Sequence, residues 1–217
     1  MNILGIDEAG RGSIIGNLIV AGAMFDEEGC LKLKELGAKD SKLLSRKTRD
    51  RLYHEIIKLA KGFQIISITP QEIDTTLDSD SSNLNWLEAD KTIIIINKLK
   101  PDRAIIDCPS PNIAKYKDYI QNRLDNPAIE LVVEHKADLN HSCCSAASIL
   151  AKSTRDSNVD DIQKITGIDF GSGYPSDPKT IEFVKLNIDK FPDIFRKSWQ
   201  TYKNIKNGKN QPTLSEF

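Results

Sequence analysis

Apolar positions along this chain change period several times, and the changes outline its elements. Ile3, Leu4 and Ile6 form a short apolar run within 2–7, and the segment NLIVAGAMF at 17–25 forms a longer one. Runs this short and this apolar predict buried strands, joined here by a glycine turn. Leu52, Ile56, Ile57 and Leu59 then recur at helical spacing and predict a helix over 46–60. FQIISIT at 63–69 predicts a third strand, Pro70 opens a short helix through Leu77, and the polar cluster Asp78 to Asn83 reads as a loop. LNWLEADKTIIIINKL is ambiguous, because four consecutive isoleucines also suit a strand. Its length and the Pro101 stop favour a helix. RAIID at 103–107 is a short buried strand, 112–124 an amphipathic helix, AIELVVE at 128–134 the last strand, and 142–157 a helix of small residues. One or two helices follow 178. Three strands in series, then strands alternating with helices, predict an α/β fold with a mixed sheet covered by helices.

A chain of 217 residues with 39% hydrophobic and 28% charged side chains is long enough for one substantial core and is not of disordered composition. The purest apolar run, Ile93 to Ile96, is far too short for a transmembrane helix. The chain opens directly on a strand, so no secretory signal and a cytoplasmic location are expected. Cys30, Cys108, Cys143 and Cys144 form no Cys-x-x-Cys pair and are too sparse for a disulfide framework; small buried hydrophobes are expected. A net charge of −1 gives no global basic signal. Its distribution is uneven: ten basic against four acidic side chains in 32–61, and seven against three in 185–217. Acidic candidate-site segments are thus flanked by basic ones, as a metal-dependent nuclease requires, although solvated helix faces produce the same pattern.

The candidate chemistry sits at predicted strand ends. Asp7 and Glu8 close the first strand and are followed by Gly10, Arg11 and Gly12; Asp107 ends AIID; Asp138 follows the last strand by four residues. Carboxylate oxygens suit hard cations such as Mg²⁺ and Mn²⁺, and glycines let a backbone approach a sugar-phosphate chain. The alternative for Asp7 and Glu8 alone is a strand ending in a polar turn. If the strands lie adjacent and parallel, their carboxyl ends converge. Four carboxylates in one cleft repel unless cations neutralise them, and two divalent ions would also serve in-line displacement at a phosphate diester. His141 lies three residues beyond Asp138, but carboxylate sites for Mg²⁺ rarely need imidazole. His54 and His135 read as surface residues.

Taken together, GIDEAGRG, DSKLL at 40–44, LNWLEA at 84–89, IIDCPSPN at 105–112, EHKAD at 134–138, SAASILAK at 145–152 and GSGYPSDP at 171–178 resemble type 2 ribonuclease H, ribonuclease HII, in its archaeal form. The segments occur in the family's order across nearly the whole chain. The resemblance implies a ribonuclease H-like mixed five-stranded sheet flanked by helices, with a catalytic domain at 1–184 and a small helical extension at 185–210. It implies endonucleolytic cleavage of RNA in RNA–DNA hybrids and at single ribonucleotides embedded in duplex DNA. Asp7, Glu8, Asp107 and Asp138 resemble the family's metal-binding carboxylates, which take two Mg²⁺ or Mn²⁺ ions. Gly10, Arg11 and Gly12 resemble its loop that reads the ribose 2′-OH, Tyr174 its sugar-packing tyrosine, and Lys42 a phosphate-contacting lysine. The rivals are another nuclease of the same fold and an inactive hybrid- or clamp-binding protein.

This chain departs from the family's pattern at several places. Ser13 and Asn17 stand where the family often has proline, so a slightly less rigid loop is expected. His141-Ser142 replaces a common Tyr-Pro, and the adjacent Cys143 and Cys144 are unusual. At 211–217, Gln211, Leu214 and Phe217 have the spacing of a sliding-clamp interaction box, with Gly208, Lys209 and Asn210 expected as a flexible tether. The expected partners are therefore the hybrid, ribonucleotide-containing duplex DNA and a sliding clamp, with no membrane; a monomer is expected.

Overall fold

The computed structural model describes residues 1–37, 44–79 and 81–209. Lys42, Gln211, Leu214 and Phe217 lie outside the described residues. The five strands are β1 (Ile3–Ala9), β2 (Leu18–Phe25), β3 (Gly62–Ile68), β4 (Arg103–Asp107) and β5 (Glu130–Glu134). They form one sheet in the order β3-β2-β1-β4-β5. β1 and β3 are antiparallel to β2, whereas β4 runs parallel to β1 and β5 parallel to β4. The mixed sheet expected from the strand order is thus present, and the carboxyl ends of β1, β4 and β5 share one edge.

Helices cover both faces, which is why the interior strand β2 is buried along its whole length and reads as an unbroken apolar run. One face carries α3 (Pro70–Leu77), α4 (Leu84–Leu99) and α5 (Ile113–Gln121) over Leu4, Ile6, Leu18, Val20 and Ile106. The other carries α1 (Glu27–Glu35), α2 (Arg46–Leu59) and α7 (Ser142–Thr166) over Ala9, Ile19, Ala21, Ala23 and Ile105. Between β5 and α7 lies the one-turn helix α6 (Ala137–Asn140). The isoleucine-rich segment is helical as expected: Asn83 caps α4 on the Trp86 N–H, and Lys100 ends it in the left-handed conformation at φ 51°.

Besides the unpredicted turn α6, two elements differ from expectation. Residues 27–35 form α1, capped by Asp26 on the Gly29 N–H. Their single wholly buried leucine, Leu33, leaves almost no periodic signal. α7 continues nine residues past 157 because Val159 and Ile162 join a separate apolar cluster with Ile14, Ile15, Phe170, Phe183 and Phe195. That cluster seats α8 (Pro178–Asn187) and α9 (Gln200–Lys209). Gly208 lies inside α9 rather than in a tether. Chain 194–196 adds to 14–16: the Gly16 N–H donates to the Ile194 carbonyl, the Arg196 N–H donates to the Ile14 carbonyl, and Ile15 bridges Phe195. Cys108, Cys143 and Cys144 are buried and Cys30 half-buried, all as free thiols. None of the described helices is long and apolar enough to cross a membrane.

Candidate active site

β1 delivers Asp7 and Glu8 to opposite faces, as strand alternation requires. Asp7 turns toward α7, where the Ser148 hydroxyl donates to it. Asp107 ends β4, the parallel neighbour, and Asp138 sits in α6. Each of the three aspartates offers one oxygen, and these oxygens lie within 4.8 Å of one another. Asp7 and Asp138 are buried and Asp107 half-buried. Burial, with the charges of Asp107 and Asp138 adding to it, pushes Asp7 up to about 7 despite the hydrogen bond from Ser148. Three hard oxygen donors concentrated out of water form a donor set that fits a divalent cation, whose charge removes the repulsion.

Glu8 lies outside this three-residue group. It faces the α4 side, where burial first and then Asp7, Glu88 and Asp107 hold its carboxyl well above the usual range. Its neighbour Glu88, buried on α4, is a residue to which sequence reasoning gave no role. Arg11 Nε donates to both Glu88 oxygens at 3.0 and 3.1 Å, and Arg11 Nη2 donates to Asn85 Oδ1 at 2.7 Å. Burial raises Glu88 to about 7, against the lowering pull of Arg11. The Arg11 guanidinium is thereby committed to α4. Its carbonyl is held as well, accepting from Nη1 of Arg196 at 2.8 Å, while Arg196 Nε donates to the Gly16 carbonyl at 3.1 Å. Arg196 belongs to a segment whose charge reads as surface, yet it is fully buried. A buried guanidinium that ties two loop carbonyls carries no signal in local sequence.

The Gly10–Gly12 turn and Tyr174 meet in space. Gly10 has φ 83° and packs so close to the Asn17 carbonyl that a Cβ would sit 2.9 Å from its oxygen. A Cβ on Gly12 would meet the Tyr174 ring at 3.9 Å. Arg155 covers that ring, its guanidinium carbon 4.8 Å from the centroid, and donates to the Ser172 carbonyl. Ser13 does not loosen the loop. Its hydroxyl lies 2.6 Å from the Ile15 carbonyl and 2.9 Å from that of Gly173, so it ties the turn to the Tyr174 segment. Beside the acids a cleft of about 330 Å³ is lined by Glu8, Ala9, Gly10, Arg11, Arg49, Lys152, Arg155, Asp156 and Tyr174. It places cations next to carboxylates, as a phosphate diester requires. Part of the basic run is spent internally, because Arg46 pairs with Asp160 and Arg49 with Asp156 across α2 and α7.

Comparisons with known proteins agree on one family. The profile of the family described as Ribonuclease HII matches residues 4–202. A Ribonuclease HII from Pyrococcus furiosus is 40% identical over all of this chain and 98% of its own length. The crystal structure of the ribonuclease H2 from Pyrococcus horikoshii superposes with a TM-score of 0.88 at 34% identity, covering 98% of this chain and 100% of that one. The ribonuclease HII solved in complex with PCNA, from Archaeoglobus fulgidus, superposes with a TM-score of 0.86 at 34% identity, covering 99% and 100%. Full-length similarity, the shared fold and an aspartate cluster at the parallel strand ends therefore place this chain in the ribonuclease HII family, as a metal-dependent nuclease with ribonuclease H activity.

Proposed function

We propose that this enzyme cuts the RNA strand of RNA–DNA hybrids, and the bond 5′ to single ribonucleotides embedded in duplex DNA. A water would attack phosphorus, the O3′–P bond would break, and the departing oxygen would take a proton, leaving 3′-hydroxyl and 5′-phosphate ends. Asp7, Asp107 and Asp138, with Glu8 beside them, would hold two Mg²⁺ or Mn²⁺ ions. When bound, such ions supply the Lewis acidity that activates water and steadies the leaving oxygen. The observation that carries the reading is the convergence of three aspartate oxygens beside the braced Gly10–Gly12 turn.

The chain's own groups account for substrate choice. With the Arg11 side chain and carbonyl both tied inward, the backbone of Gly10–Gly12 is a fixed surface for the 2′-OH, the group that separates a ribonucleotide from its neighbours. Tyr174, facing Gly12 and covered by Arg155, would pack on the next sugar and reject one bearing a second 2′-OH. Lys152 and Arg155, both in the cleft lining, suit the phosphates, and Lys42 would add to them. Gln211, Leu214 and Phe217 would engage a sliding clamp; a relative of 34% identity solved with PCNA supports this reading.

The test is cleavage of a duplex holding one ribonucleotide, beside its all-DNA counterpart. Cutting at the 5′ side of the ribonucleotide alone is expected, and Asp7→Asn should abolish it in a folded protein. Near-normal Mg²⁺-dependent cleavage by folded Asp7→Asn would overturn the assignment.

A further inference from the structure

α6 carries Asp138 on a single turn that is separated from β5 by two residues and joined to α7 through His141 alone, and a helix of four residues has little rigidity of its own. It is entered through Lys136, which lies in the left-handed region at φ 61°. Its position must therefore come from what holds its ends. At the entry, the Lys136 N–H donates to Asp107 Oδ1 at 2.8 Å. At the exit, Asn140 Nδ2 donates to Glu134 Oε1 at 2.9 Å, and His141 Nε2 lies 3.1 Å from the same oxygen. Asp107 and Glu134 are register partners at the ends of parallel β4 and β5. Two adjacent strand-end carboxylates thus grip α6, one at each end.

From this arrangement we propose that Glu134 is a positioning residue for the metal site: with Asn140 and His141 it forms a clasp that fixes Asp138 against Asp7 and Asp107. The proposal rests on the reading that these aspartates hold the divalent ions. Without the clasp, α6 keeps its entry bond and its backbone link to α7 through His141, but loses the side-chain tie that sets its tilt between them, and Asp138 shifts relative to the other two. His141 is an expected outsider to the coordination; it acts here as a hydrogen-bond donor to Glu134, not as a ligand. It also gives a role to the His-Ser pair that replaces the commoner Tyr-Pro. Both donors converge on one oxygen, so the clasp needs an acceptor, not a charge.

The experiment measures Mn²⁺ affinity directly, by calorimetry and by the loss of the free-ion electron paramagnetic resonance signal, on intact protein. Glu134→Leu should weaken Mn²⁺ binding by about 10- to 100-fold, the usual range for residues that orient ligands. Glu134→Gln, which keeps the carbonyl acceptor, should stay within about threefold of wild type on the same reasoning. Glu134 and His141 are only about two-thirds buried, so the metal-free melting temperatures should stay close together. Wild-type affinity in Glu134→Leu would overturn the proposal. Equal losses in the Leu and Gln variants would also overturn it, assigning the effect to charge. Asp138→Asn is the control for the underlying reading: if it leaves Mn²⁺ affinity unchanged, the metal site itself is misassigned.

Discussion

Gly5 lies two residues before Asp7 on β1, at the point where α7 crosses the strand. A Cβ built there would sit 2.1 Å from the Cys143 carbonyl carbon, 2.3 Å from its oxygen and 2.4 Å from the Cys144 nitrogen. Ordinary contact begins near 3.4 Å, so Gly5→Ala requires the first turn of α7 to withdraw by about 1.3 Å. All three obstacles are backbone atoms of a helix, so no rotamer change relieves them. Gly22→Ala is the internal comparison. It too is buried on the sheet, and its Cβ would meet Ile95 Cγ2 at 2.4 Å, a single side-chain methyl rather than three atoms of a helix backbone, although the β-branched Ile95 on α4 gives way only in part.

Overpacking commonly costs about 1–3 kcal/mol, and a displaced backbone places Gly5→Ala at or above the top of that range, with Gly22→Ala within it. For a chain of this size, about 3 kcal/mol lowers the melting temperature by roughly 6–12 °C. The displacement also reaches the chemistry, because α7 supplies Ser148 to Asp7 and follows directly on the α6 turn that holds Asp138. A misplacement near 1 Å costs roughly 100-fold in rate. Thermal unfolding and single-ribonucleotide cleavage should therefore both fall sharply in Gly5→Ala and modestly in Gly22→Ala. A Gly5→Ala protein with wild-type melting temperature and rate, or one no worse than Gly22→Ala, would refute the direct strand–helix contact.

Asp7, raised from an ordinary 3.8 to about 7, stabilises the metal-free fold below its unfolded value, and this contribution is lost as pH rises through about 7. Divalent ions should thus raise the melting temperature more at pH 8 than at pH 5.5 and release protons on binding near pH 6; calorimetry in buffers of different ionisation enthalpy that finds no proton release would contradict this. Tyr174→Ala should reduce cleavage at a single ribonucleotide far more than binding of plain duplex, since phosphate contacts supply most non-specific affinity; parallel loss of both in filter binding and cleavage would remove its sugar-packing role. Deleting 211–217 should leave intrinsic cleavage unchanged and abolish clamp binding, as should Leu214→Ala with Phe217→Ala; undiminished heats of binding to the cognate clamp would make the box a coincidence of spacing.

The sequence alone determined most of the elements and singled out the candidate acids. The five apolar runs are strands because each is short and bounded by turns, with β2 buried along its whole length, and the isoleucine-rich segment is a helix because its 16 residues exceed a strand's usual length. The ordered motifs resembling ribonuclease HII name Asp7, Glu8, Asp107 and Asp138 before any distance is known, and the structure brings the three aspartates together with Glu8 outside the group. Tertiary structure alone decided the rest. α1 was invisible because only one of its leucines is wholly buried, and the far end of α7 because its apolar partners come from 14–15 and from beyond 168. The ties of Arg11 to Glu88, Arg11 to Arg196 and Glu134 to His141 join residues 77, 185 and 7 positions apart. A local pattern encodes which side chains avoid water. The geometry of the site depends on which buried donors meet which acceptors, and long-range packing sets that.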